Sequence, residues 1–267
     1  MMLYDWCKCL GDYDPSLSYE EFIIAQSRLV TERLEGKLNC DLLIITAHPP
    51  TITLGARSLK EQLHHIRILP FELYSHEKSD DLLLAEAKKY LQLHYHINLV
   101  KTNRGGSLWY HDHGVLQLYL IAAVSSFGKS DVIDPLEEVL LRVLHDIGIP
   151  AERADQNTRQ KDNSFIGVWV KHKKIAALGI RIQRGSNYSV SMFGASLNIK
   201  QCRSSSALID PCGIASCEMT SVAQELNNGY GIPHSWIVPL IHTHIQDVFN
   251  VQLIEKKFRP WEKNLTQ

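Results

Sequence analysis

The chain has 267 residues, 45% of them hydrophobic and 21% charged, enough to bury a sizeable core in one large domain. Its 28 basic and 29 acidic residues leave a net charge of −1, which argues against a general nucleic-acid or membrane-binding surface. Met1 to Lys8 carry no basic stretch leading into a long apolar run, and no segment reaches the roughly 18 apolar residues that span a bilayer. A cytoplasmic protein is expected, with Cys7, Cys9, Cys40, Cys202, Cys212 and Cys217 as reduced thiols.

In chain order, Glu20 to Leu34 places Phe22, Ala25, Leu29 and Val30 on one stripe and predicts an amphipathic helix. Leu42 to Thr46 reads as a buried strand, broken by Pro49-Pro50, and Thr51 to Gly55 begins another. Between Ser58 and Tyr95 only Asp80 to Leu93 has a helical pattern. Asn98 to Lys101 is short and extended, and Val115 to Val124 is apolar and β-capable. Asp134-Pro135 has the form of an N-cap followed by proline at the first helical position. The apolar face Leu136, Val139, Leu140, Val143, Leu144 and Ile147 then runs to Gly148.

Gly167 to Val170, Lys174 to Arg184 and Tyr188 to Ile199 follow as strands joined by turns. Thr220 to Asn227 and Trp236 to Phe249 predict helices, so residues 225–267 are expected to form a helical extension. Strands and helices are interspersed with hairpin-like joins. The fold class is therefore α+β, a mixed, mainly antiparallel sheet flanked by helices in a single domain over 1–267.

Two segments carry chemistry. Cys212, between Pro211 and Gly213, sits in a turn that can expose its sulfur, unlike a cysteine packed in a strand. Lys174 leads an apolar run, Ile175 to Gly179, and can act as a base for that thiol; on chemistry alone Lys173 serves equally. Arg104-Gly105-Gly106 offers close backbone approach and a positive charge for a carboxylate or phosphate, although a plain tight turn has the same composition. No metal site is expected. Cys7 and Cys9 have no matching second pair, and His111-x-His113 and His242-x-His244 have no third ligand at a familiar spacing.

Taken in order, these segments resemble the lipoyl(octanoyl) transferases, relatives of the lipoate and biotin protein ligases. The resemblance runs over about 42–224. It rests on His48-Pro49-Pro50, Arg104-Gly105-Gly106 with Tyr110-His111, Gly167 to Val170 with Lys174 to Arg181, Leu197-Asn198, Asp210-Pro211-Cys212-Gly213 and Met219 to Val222. It implies a biotin/lipoate protein ligase-like fold, Cys212 as the acyl-carrying nucleophile and Lys174 as its catalytic partner. Arg104, Gly105, Gly106, Ser107, Tyr110, His111, Ala177, Leu178, Gly179, Gly194 and Ala195 become the implied substrate-binding residues.

The implied reaction takes an octanoyl group from octanoyl-acyl carrier protein to Cys212. It then passes to a lysine of a lipoyl domain, in 2-oxoacid dehydrogenase complexes or the glycine cleavage H protein, with no cofactor. Backbone amides near Cys212 would hold the oxyanion, Leu108 and Trp109 would contact the acyl tail, and Lys171, Lys173 and Arg184 would dock the acidic carrier. Three features depart from the transferase pattern: Asp112-His113 after Tyr110-His111, which leans towards ATP-dependent lipoate ligases; Phe193 in place of histidine; and a longer, more polar Asp155 to Ile166. An ATP-dependent ligase and a non-catalytic acyl-binding relative are the alternatives.

Overall fold

The computed structural model describes residues 4–10, 18–74, 78–124, 130–200, 205–214, 217–229 and 231–256. Strand β1 (Tyr4–Leu10) leads to helix α1 (Tyr19–Leu34), which starts at a capping box. The Ser18 side chain accepts the Glu21 N–H while the Glu21 carboxylate accepts the Ser18 N–H. Next come β2 (Asp41–Thr46), β3 (Thr51–Leu54), α2 (Leu59–His64) and α3 (Asp80–Tyr95). The apolar face of α3 is Leu83, Ala87 and Leu91 at the four-residue helical interval.

β4 (Asn98–Lys101), β5 (Trp109–His111), β6 (Val115–Ile121) and β7 (Ala123–Val124) precede α4 (Ser130–Asp146). The chain continues with β8 (Glu152–Arg153), α5 (Gln156–Lys161), β9 (Gly167–Val170), β10 (Lys173–Arg184) and β11 (Ser189–Asn198). After α6 (Ser205–Leu208) come a 3₁₀ turn at Pro211–Gly213, β12 (Glu218–Met219), α7 (Val222–Glu225), α8 (His234–Phe249) and β13 (Val251–Lys256).

The main sheet runs β13-β1-β2-β6-β11-β10-β9-β8, with β7 on β11 and β12 on β10. Its ladders are antiparallel except where β1 meets β13 and β2 and where β12 meets β10. A second sheet, β4-β3-β5, stands apart from it. One face of the main sheet packs on α4 and α8 through Leu43, Leu118, Leu140, Leu144, Ile241 and Ile245. The other face packs on α1 through Leu42, Ile44, Tyr119 and Phe22. The second sheet closes its own core with α2 and α3. The alternation of Leu42 and Leu43, or Leu118 and Tyr119, between opposite cores is the period-two consequence of a strand buried on both sides.

Four expectations are corrected. The stretch between Ser58 and Ser79 is not without a helix, since α2 forms there. Helix α4 begins at Ser130, so Asp134 is not its N-cap and Pro135 lies inside the helix. The extra turn is held because Val132 buries itself in the α4–α8 core. The segment after 225 is not wholly helical: β13 pairs in parallel with β1, which ties the two ends of the described chain into one sheet. Val115 to Val124 is two strands, interrupted at Ala122, where the main chain bonds to Ser191. No described helix is long and apolar enough to cross a membrane.

Candidate active site

A pocket opens between the two sheets, and strand register sets its floor. Gly179 pairs with Gly194, which pairs with Tyr119; Ala177 pairs with Ser196, which pairs with Gln117. These two rows face the pocket, and the Ser196 hydroxyl donates to Gln117 Oε1 at 2.6 Å across it. Three small residues in the floor leave room for a chain-like ligand. Leu178 and Ala195 border the pocket too, but they fall in the intervening row and pack with the α4–α8 core. Arg104, Gly106, Ser107, Leu108, Trp109 and His111 form the opposing wall, with Tyr19, Tyr119 and Phe193 as the aromatic lining. Cys212 lines the same pocket.

The nucleophile turn is conformationally unusual. Cys212 has φ +59° and ψ +12°, a left-handed backbone that costs a non-glycine residue about 1–2 kcal/mol, and Gly213 follows with φ +76°. The turn is fixed by the Cys212 N–H donating to the Leu108 carbonyl at 3.1 Å. The Gly213 and Ile214 N–H groups donate to Asp210 and Pro211. Asp210 is itself anchored by His65 and Arg67, with His65 Nδ1 3.1 Å from one carboxylate oxygen.

All three amides around the cysteine are thus engaged, one by Leu108 of the wall and two within the turn, which corrects the expectation that they face an oxyanion. The Ser107 hydroxyl lies against this turn, since a methyl group at Gly213 would come 3.4 Å from its oxygen.

Lys174 is fully buried, and its Nζ lies 3.4 Å from Cys212 Sγ. The same nitrogen donates to the carbonyls of Ser164 at 2.6 Å and Ile166 at 3.3 Å, and sits 4.8 Å from the Trp169 ring centroid. An amine nitrogen has four tetrahedral directions, one of them taken by its own carbon. Two carbonyls fix two more, which leaves the last for the sulfur. As an ammonium, Lys174 donates there to a thiolate; as a neutral amine, it directs its lone pair at the S–H. Lys173, its rival on chemistry alone, points the other way, 3.8 Å from Glu218 and 42% exposed.

The two carbonyls come from the Asp155 to Ile166 segment. It folds as α5, capped by the Asp155 side chain accepting the Thr158 N–H, and as a 3₁₀ turn at Asn163–Phe165. Sequence reasoning marked this segment as a departure and missed its use. Main-chain oxygens leave no residue-type signal; only the extra length and polarity pointed to it.

Arg104 is buried beneath the wall, where its guanidinium donates to the carbonyl and hydroxyl of Thr53 at 2.9 and 2.8 Å and to the Gly105 carbonyl at 3.0 Å. Thr53 Oγ1 is 3.0 Å from His111 Nε2. His48 Nε2 is 2.8 Å from the Tyr119 hydroxyl, and the rings of Tyr19, His48 and His111 pack together behind the pocket. Burial dominates the titration of this group. The His48 pKa is lowered to about 3, with the nearby His113 adding to the shift, and that of His111 falls well below the ordinary value. Burial also raises Tyr119 well above the usual phenol range. Cys217, next to the site, is buried too and its thiol is pushed up to about 11.

Of the residues singled out in the sequence, Arg104, Gly106, Ser107, His111, Ala177, Leu178, Gly179, Gly194, Ala195 and Cys212 line this pocket, and Lys174 reaches it through the Cys212 sulfur. Tyr110 does not: its side chain turns into the α2–α3 core. Gly105 lies over the backbone of Ile180, where a methyl group would come 2.8 Å from the carbonyl oxygen, and lines a neighbouring groove. Asp112 and His113 also lie outside the pocket lining. Asp112 Oδ1 accepts the Gly114 N–H at 2.8 Å, and Gly114 packs so tightly on the Lys200 carbonyl that a methyl group would come within 1.3 Å of its oxygen. The Tyr-His-Asp-x-Gly departure is therefore a requirement of the β5–β6 turn; Phe193 alone among the pattern changes lines the pocket. Among the described residues no group of three or more His, Cys, Asp or Glu side chains is placed to hold a metal.

Comparison with known proteins agrees with this geometry. Residues 16–245 match the lipoyl protein ligase A/B catalytic domain family. The chain is 31% identical over 240 residues to an octanoyltransferase of Alkaliphilus metalliredigens, covering 89% of this chain and 93% of that protein. It is 34% identical over 222 residues to an octanoyltransferase of Chloroflexus aggregans (81% and 83% covered). A chloroplastic octanoyltransferase of Arabidopsis thaliana is 30% identical over 232 residues (84% and 69%). Among solved structures, a lipoate-protein ligase A bound with ATP superposes with a TM-score of 0.67 at 12% identity, over 96% of this chain and 90% of that one. A bipartite lipoate protein ligase from Thermoplasma acidophilum gives 0.62 at 12% identity, over 97% and 89%. The structural likeness establishes the fold; the family match and the sequence identities place this chain in the lipoyl protein ligase A/B catalytic domain family.

Proposed function

We propose that this chain is an acyltransferase that moves an octanoyl or lipoyl group through a thioester on Cys212 to a lysine of a lipoyl domain. The observation that carries the reading is the 3.4 Å approach of a buried lysine to the cysteine sulfur, with two carbonyls aiming the amine. A free thiol, with a pKa of about 8.5, is only a few per cent thiolate at neutral pH, so a neighbouring base decides its reactivity.

In the first half-reaction Lys174 takes the Cys212 proton and the sulfur attacks the thioester carbonyl of an acyl carrier protein. The Cys212–acyl bond forms, the bond to the carrier sulfur breaks, and Lys174 returns its proton to that departing thiolate. In the second, Lys174 accepts a proton from the incoming lysine amine, which attacks the acyl-cysteine. The amide forms and Cys212 leaves as the thiol. Thioester to thioester is nearly isoenergetic and thioester to amide is downhill, so the cycle closes without a nucleotide.

With the turn amides engaged and the Lys174 protons directed at two carbonyls and the sulfur, the Ser107 hydroxyl is the donor beside the tetrahedral oxygen. The acyl tail lies over Ala177, Gly179 and Gly194 against Leu108 and Trp109, gaining about 0.8 kcal/mol per buried methylene.

The test is intact-protein mass spectrometry after mixing the pure chain with octanoyl-acyl carrier protein in the absence of ATP, beside Cys212→Ala. A hydroxylamine-labile gain of one octanoyl unit, missing from the variant, is expected. No adduct, together with AMP release from free octanoate and ATP, would make the chain a ligase.

A further inference from the structure

Strand β9 ends before β10 does. Their ladder stops where Gly167 meets Ala177, and β10 runs on through the half-buried Leu178 and Gly179 to Arg184 with no described ladder partner on that side, Ile180 being buried beneath Gly105. A large groove follows this free edge. It shares Gly106, Leu178 and Gly179 with the acyl pocket, so it leads directly to Cys212. Arg57, Arg153 and Arg159 line it, against the single carboxylate of Asp134.

Among the described residues these arginines have unspent donors. Arg57 gives one hydrogen bond, to the Ser164 hydroxyl at 3.1 Å, and its nearest carboxylate, Asp162, is 4.0 Å away. Arg159 engages only one of its terminal nitrogens, with Glu137 at 2.7 Å and Asp134 at 3.3 Å. Arg153 is held from behind by Glu137 and Glu138. The carboxylates Glu137 and Glu138 neutralise this cluster from outside the lining, while the guanidiniums face the groove.

An exposed strand edge hydrogen-bonds an extended amide chain, and guanidinium groups with spare donors hydrogen-bond a phosphate. Two substrate arms must reach Cys212: a donor arm ending in a thioester and an acceptor lysine. The acceptor lysine ends in an amine whose ammonium form offers the spare guanidinium donors no hydrogen-bond acceptor. The donor arm of a carrier protein is a chain of two amides ending in a phosphodiester, which matches both features in order from the thiol outward. We propose that this groove binds the 4′-phosphopantetheine arm of the acyl donor, its amides along the free edge of β10 and its phosphate at Arg57 and Arg159. The proposal rests on the acyl-transfer reading and adds to it a binding site for the donor.

The experiment compares single-turnover acylation of Cys212, followed by intact mass, with three small donors: octanoyl-4′-phosphopantetheine, octanoyl-pantetheine and octanoyl-N-acetylcysteamine. In the wild-type chain the phosphorylated donor is expected to acylate roughly 10- to 100-fold faster than octanoyl-pantetheine below saturation, the range that one or two charge-assisted hydrogen bonds supply. That ratio should fall to within about threefold in Arg57→Gln combined with Arg159→Gln. Because it is a ratio within one variant, a general loss of rate does not imitate it.

Equal rates for the two pantetheine donors in the wild-type chain would overturn the proposal, as would a ratio retained in the double variant. Octanoyl-adenylate formation from ATP and octanoate that depends on the same two arginines, without any phosphate preference among the thioesters, would assign the groove to a nucleotide instead. Acylation by none of the three donors would remove the acyl-transfer reading and this proposal together.

Discussion

The Cys212 N–H donates to the Leu108 carbonyl at 3.1 Å, so the nucleophile turn hangs from the wall of the acyl pocket. Leu108 is 1% exposed in its core, and the bond holds Cys212 in the pocket lining despite a left-handed backbone at the cysteine. Gly213 shares that left-handed backbone without strain, and a methyl group there would meet the Ser107 hydroxyl at 3.4 Å, an ordinary contact distance. Gly213→Ala is expected to destabilise the chain by about 1 kcal/mol, read from the urea midpoint, and to slow acylation by more than this loss of stability explains.

Removing the dyad tests the chemistry directly. Cys212→Ala should abolish acyl-enzyme formation. Lys174→Met should reduce the acylation rate by about 10²- to 10⁴-fold, the usual worth of a positioned general base. Ser107→Ala should cost about 10²-fold in single-turnover rate with little change in octanoate binding, since its hydroxyl acts on the tetrahedral intermediate. A Ser107→Ala rate within twofold of wild type would remove the Ser107 hydroxyl from the oxyanion site.

The two neighbouring cysteines should differ in reactivity. Cys217 is buried and its thiol is held up to about 11, whereas Cys212 is partly exposed beside Lys174. Limiting iodoacetamide at pH 7.5 should alkylate Cys212 first and leave Cys217 unmodified, as peptide mapping would show.

Acid should destabilise the fold through its buried histidines. The His48 pKa is about 3 in the folded chain against 6.5 when exposed, so below pH 6.5 the unfolded chain binds a proton that the folded one refuses. Stability contributed by neutral His48 is complete above about pH 6.5. It is lost at about 1.4 kcal/mol per pH unit as pH falls towards 3, and His111 acts in the same direction. Urea titrations between pH 7 and 4.5 should show this slope, and His48→Gln should flatten it.

Phe193 lines the pocket with φ +65°, a backbone that turns its ring from the α4–α8 side, where the strand alternation would put it, to the Tyr119 side. Phe193→Gly removes the ring and the strain together. Relative to octanoyl, acylation by decanoyl and dodecanoyl donors should rise several-fold in the variant, measured by competition between thioesters.

Much of the architecture was legible in the sequence. Period-two and period-3.6 apolar patterns located the longer helices and most of the longer strands, because burial on defined faces needs only local spacing, but they missed β1, α2, β5, α5 and β13. The ordered short motifs singled out Cys212, Lys174 and the Arg104 segment, because a nucleophile, a base and a glycine-lined approach need particular residue types. What the sequence left open were matters of direction and long-range contact. Lys173 and Lys174 are chemically equal, and one residue of strand register sends one to Glu218 and the other to the sulfur. Tyr110 and His111 are likewise split between two cores by a single peptide. The carbonyls of Ser164 and Ile166 that aim Lys174 are invisible in any sequence, since every residue carries one. The unpaired edge of β10 exists only because β9 stops at Gly167, and Arg57 and Arg159 line the groove beside it from segments about a hundred residues apart. Residue type determined which chemistry was available to this chain; backbone path and register, enforced by burial, decided which atoms were brought together to perform it.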